Sequence, residues 1–139
     1  MMSRVINTDG PAKIRNQHMR TCAEILRHLS KKKEFDAETK DMIAQIVFSL
    51  REVNDTIEQS SEAWEKRNYW MKAEEFRQRW TWTGKMADQV EDLVRRSNWE
   101  DFPSLMVSLF QHFGEIKVNK FTRDAETWQG AYDRLMSER

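Results

Sequence analysis

The stretch DMIAQIVFSLREVNDTI, residues 41 to 57, decides the fold class of this chain. Its apolar side chains recur at alternating spacings of three and four residues, which places them on one face of a helix. This is the heptad-like pattern of helices packed against one another. The residues that form the predicted buried stripe are Ile43, Ile46, Leu50, Val53 and Ile57, followed further along by Trp64.

The ends of this helix are also marked in the sequence. Asp36 is a suitable N-cap, because its carboxylate can accept hydrogen bonds from backbone N–H groups of the first turn. Two cations, Lys66 and Arg67, precede Asn68, a residue that tolerates the left-handed conformation at a helix C-terminus. The sequence therefore predicts one helix from about residue 36 to about residue 67.

The rest of the chain has the same helical character. Only four glycines and two prolines interrupt 139 residues, fewer turn-forming residues than a sheet of short strands needs. Further helices are predicted over residues 11–33, with Thr8 or Asp9 as cap, over 69–97, from 102 to either Gly114 or Ile116, and over 122–136. We predict a single all-α domain over residues 1–139. It would be an up-down bundle of four main helices plus a short C-terminal helix, with residues 1–10 as a flexible arm.

Composition limits the possible cellular locations of the protein. The apolar runs are far shorter than the roughly 20 residues that span a bilayer, so no membrane partner is predicted. The single Cys22 cannot form an internal disulfide, which is compatible with a reducing compartment. We predict a cytoplasmic protein.

Charge is balanced overall but unevenly distributed. Between residues 4 and 33 there are eight basic residues and two acidic ones, although the net charge of the chain is zero. A basic patch on the first helix could bind nucleic-acid phosphates. Glu24 lies within that patch, however, and can pair with the arginines three and four residues away, which favours a protein partner over nucleic acid. The patch consists of Lys13, Arg20, Arg27 and Lys31.

Four carboxylates raise the possibility of a metal site. Glu62 and Glu65, with Asp88 and Glu91, resemble the paired acidic motifs by which helical nucleotide pyrophosphohydrolases hold magnesium, although the second motif is reversed. With a turn at Asn68, Glu65 and Asp88 would lie roughly 25 to 30 Å apart along antiparallel helices. No cofactor is therefore predicted, and a magnesium-dependent hydrolase is kept as an alternative.

The histidines and the cysteine do not form an evident catalytic set. His18 and His28 lie about 15 Å apart along one helix, too far to share a zinc ion with ligand distances of about 2 Å. His18 and Cys22 both fall on the buried stripe of that helix, where a hydrogen-bonded histidine and an inert thiol are expected. We predict no catalytic residue.

Aromatic and methionine side chains indicate contact surfaces. The predicted helix 69–97 carries two apolar lines, and together they form an arc wider than one bundle face needs. The second line is expected to mediate self-association into a homodimer or contact with another protein. The predicted interface residues are Met71, Trp82, Met86 and Leu93 on this line, with Phe48 and Trp70 outside it.

The segment AWEKRNYWMKA, residues 63–73, resembles small uncharacterised all-helical bacterial proteins. The resemblance implies a bacterial, cytoplasmic, helical protein and supplies no catalytic residues. The function predicted from the sequence is a non-catalytic protein–protein interaction or scaffolding module. The magnesium-dependent pyrophosphohydrolase and a nucleic-acid-binding module are the two alternatives.

Overall fold

A computed structural model describes residues 10–138, and all regular structure within that range is helical. The all-α prediction is thus confirmed. Five helices have eleven residues or more and two are shorter. The helices are α1 (Pro11–Lys31), α2 (Ala37–Lys66), α3 (Trp70–Trp80), α4 (Trp82–Arg95), α5 (Phe102–Phe113), α6 (Ala125–Trp128) and α7 (Ala131–Ser137), with a 3-10 turn at Trp99–Asp101 before α5. Across residues 10–138, no helix combines the length and apolar character that crossing a membrane requires.

The long helix α2 is the centre of the packing. It contacts α1, α3, α4, α6 and α7, so most of the other helices bury their apolar faces against it. The stripe predicted from residues 41–57 lies in this core: Ile46, Leu50 and Val53 are fully buried. The 3-4 spacing of apolar residues therefore identified the central element of the fold and its orientation.

Both ends of α2 agree with the sequence signals. The Asp36 carboxylate accepts a hydrogen bond from the backbone N–H of Thr39 at 2.9 Å, and the Thr39 hydroxyl accepts one from the N–H of Asp36. At the other end, Asn68 has φ 68°, the predicted left-handed conformation. The N–H of Tyr69 then donates to the carbonyl of Trp64 at 2.9 Å, which closes the helix. The predicted caps of α1, Thr8 and Asp9, lie outside the described residues.

The predicted helix 69–97 is wrong as one continuous element, because it is interrupted at Thr81. The Thr81 hydroxyl donates to the carbonyl of Arg77 at 2.7 Å, and its N–H bonds to Gln78 three residues back. The N–H of Thr81 thus makes a bond of the 3-10 type at this position. Helices α3 and α4 therefore follow one another with a local irregularity between them.

The predicted helix 122–136 also needs correction. It is two short helices separated at Gly130, which has φ 79° and so lies in the left-handed region. Thr122 does not cap it. Asp124 instead accepts from the N–H of Glu126, and Asp41 on α2 accepts from the N–H groups of Gly130 and Tyr132 at 3.2 and 2.9 Å. The C-terminal helices are thus held by a carboxylate of the central helix.

Candidate interaction site

Three consecutive large apolar side chains stand exposed where α2 turns into α3. The exposed fractions are 48% for Tyr69, 60% for Trp70 and 78% for Met71. We call these three residues the aromatic corner. Single exposed hydrophobic residues are common on protein surfaces, but three side chains of this size exposed in succession are unusual and mark a candidate contact site.

The local structure explains why the corner projects from the domain. The left-handed Asn68 reverses the chain directly after α2, so the next three residues lie at the start of α3 and away from the core. The inward side of this turn is filled by Ala73, which is fully buried, and by Trp64, whose ring meets Phe76 edge to face at 4.9 Å. The aromatic corner therefore lies on top of packed residues of α2 and α3.

Charged side chains surround the corner. The guanidinium of Arg67 lies 5.1 Å from the centre of the Tyr69 ring, and the ammonium of Lys72 lies 5.6 Å from that of Trp64. Such cation–π contacts hold long basic side chains close to the apolar surface. Acidic residues occupy the adjoining turns of α2 and α3. The exposed charged residues around the corner are Lys66, Arg67 and Lys72, with Glu62, Glu74 and Glu75.

The second apolar line of the predicted helix 69–97 is largely covered within the chain. Met86 and Leu93 are only 7% and 6% exposed, so the prediction that they form an interface is wrong. Trp82 stacks on His112 of α5, with ring centres 3.9 Å apart and planes 4° apart. Phe48 is half-buried between the guanidinium groups of Arg51 and Arg134. Of the six predicted interface residues, Trp70 and Met71 are strongly exposed.

The basic patch of α1 is engaged within the chain. Arg20 donates to the carbonyls of Lys117 and Lys120 at 3.1 and 2.8 Å, and Arg27 donates to that of Ile116 at 3.1 Å. The remaining two patch residues also have partners: Lys31 lies over the ring of Phe121, and Lys13 has an interaction of its own. These contacts fasten the segment 116–123 along α1. Arg20 and Arg27, which would bind phosphates, thus already donate hydrogen bonds within the chain.

Glu24 anchors this segment. Its side chain is fully buried, and its carboxylate accepts from the N–H and hydroxyl of Thr122 at 2.7 and 2.6 Å, from the N–H of Arg123 at 2.8 Å and from Arg20 at 2.6 Å. Burial opposes ionisation, but these hydrogen bonds outweigh it and lower the pKa of Glu24 to about 2. The predicted pair with Arg20 is confirmed, and it is buried together with the contacts to Thr122 and Arg123.

The four acidic residues considered as magnesium ligands are not brought together. Glu65 pairs with Arg77 at 2.6 Å, and Glu91 pairs with Arg51 and Arg95, each at 2.8 Å. The hydrogen bond from Arg77 lowers the pKa of Glu65, and the one from Arg95 is the main cause that lowers that of Glu91. Glu62 and Asp88 are exposed. Within residues 10–138 no group of three or more histidine, cysteine or acidic side chains is arranged to hold a metal ion.

The histidines and the cysteine of α1 are engaged in packing contacts, and His28 stacks on Phe121 with ring centres 3.9 Å apart. His18 contacts the Ser49 hydroxyl at 3.2 Å, as expected for a hydrogen-bonded histidine, and burial is the main cause that lowers its pKa. Cys22 is fully buried, and burial raises the pKa of its thiol, which suppresses the reactive thiolate.

Tyr69 is the one corner residue that the sequence pattern did not mark as an interface residue. The available signal is Asn68, because a left-handed residue at the end of α2 turns the chain. Tyr69 then becomes the N-cap of α3, where the helical spacing of the following residues does not yet apply.

The chain matches no family model, and no curated protein or solved structure is similar enough to count as a match. Its function must therefore be inferred from its own surface.

Proposed function

We propose that this chain is a non-catalytic protein-interaction module whose contact site is the aromatic corner and whose partner is a second copy of the chain. The observation that carries the proposal is the exposure of three adjacent apolar side chains, led by Met71 at 78% and Trp70 at 60%. Tryptophan, tyrosine and methionine are enriched at protein interfaces. The two aromatic side chains bury large areas with little loss of conformational freedom.

The charges around the corner support self-association. Lys66 and Arg67 end α2, and Glu74 and Glu75 lie on the following turn of α3, so cations and anions flank the apolar residues. In a two-fold contact the same patch is used by both copies. A two-fold axis near Trp70 can therefore bring the cations of one copy towards the anions of the other, with the apolar side chains at the centre.

The corner alone is too small to complete a stable interface. Specific dimers bury about 800 Å² on each partner, with an apolar centre and a polar rim. The surrounding ends of α2 and α3 would supply that rim. The proposed dimer is consequently of modest strength and depends on its apolar centre, which makes it sensitive to a single charge placed there.

The proposal also covers the arrangement of the helices. We infer that α1, α2, the α3–α4 pair and α5 are the four main helices of an up-down bundle. The resemblance of residues 63–73 to bacterial helical proteins and the lone Cys22 fit a bacterial cytoplasmic setting. The bundle would be a scaffold that presents the corner.

Light scattering on two matched variants tests the proposal. Trp70→Glu places a charge at the centre of the proposed contact, whereas Val107→Glu places one on α5 at a side chain of similar exposure, 63%. We expect the wild-type chain and the Val107 variant to form dimers at about 100 µM, and the Trp70 variant to be monomeric with unchanged helical content. A monomeric wild-type chain, or equal effects of both substitutions, would overturn it.

A further inference from the structure

A second feature lies at the opposite end of α2, about 40 Å from the aromatic corner. Three aromatic rings surround the ammonium of Lys40, which lies 5.9 Å from the ring centre of Phe35, 5.6 Å from that of Trp99 and 5.4 Å from that of Tyr132. All three distances are within the range of about 6 Å over which a cation is attracted to an aromatic face. We call these three rings the aromatic cage.

The cage is assembled by the tertiary fold. Phe35 lies in the connection before α2, Trp99 in the 3-10 turn and Tyr132 in α7. The ring centres of Phe35 and Trp99 lie 5.1 Å apart with planes inclined by 47°, and those of Trp99 and Tyr132 lie 6.1 Å apart with planes inclined by 50°. The three rings therefore form one continuous aromatic surface whose faces are tilted towards one another. No local sequence pattern brings these residues together, which is why sequence analysis did not detect the cage.

The primary ammonium of Lys40 is chemically less suited to the aromatic cage than an N-methylated ammonium. A primary ammonium carries three N–H donors and is strongly hydrated. Within residues 10–138 the ammonium of Lys40 has no ion pair or side-chain hydrogen bond beside its three ring contacts. An N-methylated ammonium carries the same charge, loses less hydration on entering such a site and fills it with methyl groups that contact the rings.

The surroundings favour a positively charged ligand. A cavity of about 460 Å³ adjoins the cage, with Phe35, Lys40 and Tyr132 in its wall. Its lining also includes the carboxylates of Asp36, Asp41 and Asp133, so anionic groups outnumber the single ammonium. Asp41 is fixed by the two backbone N–H groups that begin α7, and Asp36 by Thr39 and Lys32. The cavity is large enough for a small organic cation.

We propose that Phe35, Trp99 and Tyr132 form a binding site for a quaternary ammonium group, with the Lys40 ammonium as a resident stand-in that the ligand displaces. Lys40 lies on a four-carbon stem near the start of α2 and can withdraw towards the carboxylates of the cavity. The Lys40 ammonium competes with the ligand for the cage, so only molecules whose cage is empty can bind the ligand. The apparent affinity of the wild-type chain for the ligand is lowered accordingly. This inference does not depend on self-association through the aromatic corner.

Titration with tetramethylammonium, followed by the NMR signals of the Trp99 ring, tests the site. We expect Lys40→Ala to bind at least tenfold more tightly than the wild-type chain, and Lys40→Gln to behave similarly. Adding Trp99→Leu or Tyr132→Leu to either variant is expected to weaken binding by at least tenfold. Lys72→Ala is the matched control, since Lys72 lies over the single ring of Trp64 and its removal leaves the cage as it is.

A neutral analogue provides the second control. The uncharged tert-butyl analogue of choline, 3,3-dimethylbutanol, has the shape of the ligand without its charge, and we expect it to bind at least tenfold more weakly. Choline and a trimethyllysine peptide, tested next, distinguish a small molecule from a protein side chain as the source of the ammonium. The proposal is overturned if folded Lys40→Ala and Lys40→Gln show no saturable shift, or if the neutral analogue binds equally well.

Discussion

The buried carboxylate of Glu24 accepts hydrogen bonds from both the backbone N–H and the hydroxyl of Thr122, 98 residues further along the chain. This contact ties the connection between α5 and α6 to α1. It also explains why a basic helix in an electrically neutral protein is not an exposed phosphate-binding face. The arginines beside Glu24 reach the carbonyls of the same connection, at Ile116, Lys117 and Lys120.

Glu24→Gln is expected to destabilise the fold in a pH-dependent way. The folded pKa of Glu24, about 2, lies below its ordinary value of 4.5, so its stabilisation is present above about pH 4.5 and is lost as the pH falls towards 2. A shift of this size corresponds to about 3 kcal/mol. Urea unfolding between pH 6 and pH 2 would show the difference in the free energy of unfolding between wild type and variant shrinking as the pH falls.

Glu115→Gln, at an exposed position nearby, is the control and is expected to have little effect. A difference that stayed constant with pH would refute the assignment.

Substitutions on the buried and the exposed face of α2 are expected to differ strongly in their effect on stability. Ile46→Ala or Leu50→Ala is expected to lower the free energy of unfolding by about 2–5 kcal/mol, because both side chains are fully buried and would leave cavities. Glu58→Ala removes an exposed ion pair with Arg77 and is expected to lower it by less than about 1 kcal/mol. Equal losses in chemical denaturation would mean that the buried face of α2 is assigned incorrectly.

Gly130→Ala tests the break between α6 and α7. At φ 79° a side chain strains the backbone, although a Cβ there would come no closer than 4.0 Å to a neighbouring group. The expected loss in thermal or chemical unfolding is about 1–2 kcal/mol. Gly114→Ala is the matched control, since Gly114 has φ −63° and a Cβ there meets ordinary contact distances. Identical results for the two substitutions would show that the left-handed turn is not required.

Trp82→Glu is expected to destabilise the fold itself, because Trp82 stacks on His112 and meets Phe113 edge to face at 5.6 Å. Loss of this packing and the introduction of a charge are expected to cost about 3 kcal/mol. Trp70→Glu, compared at about 1 µM where self-association is weak, is expected to change the free energy of unfolding by less than about 0.5 kcal/mol. If Trp82→Glu unfolded at the same urea concentration as Trp70→Glu, the packing of α4 on α5 would be contradicted.

Local rules accounted for much of the fold. The 3-4 spacing of apolar residues located α2 and its buried face, and Asp36 and Asn68 marked its ends, because capping depends on residues only a few positions apart. The interruption at Thr81 was not foreseen, because neither a glycine nor a proline stands at that position to mark it. Thr21 makes the same hydroxyl bond to the carbonyl four residues back without interrupting α1, so such a bond is no marker either.

The surface was less predictable, because it depends on contacts distant in sequence. Met86 and Leu93 were correctly seen as apolar but wrongly assigned to an interface, since no sequence pattern showed that α5 would cover part of that line. Lys40 and its three rings come from segments up to 97 positions apart, and the pairing of Glu24 with Thr122 spans a similar distance. Trp70 was identified because it fitted no buried line.

Disulfide trapping at the aromatic corner tests the proposed self-contact most directly. Met71→Cys leaves Trp70 in place and puts a thiol beside the proposed two-fold axis, while the native Cys22 is fully buried and does not compete. Under mild oxidation at about 50 µM, we predict that Met71→Cys forms a covalent dimer at least tenfold faster than Val107→Cys, the exposed control on α5. Equal rates for the two variants, or no dimer from Met71→Cys, would contradict the account.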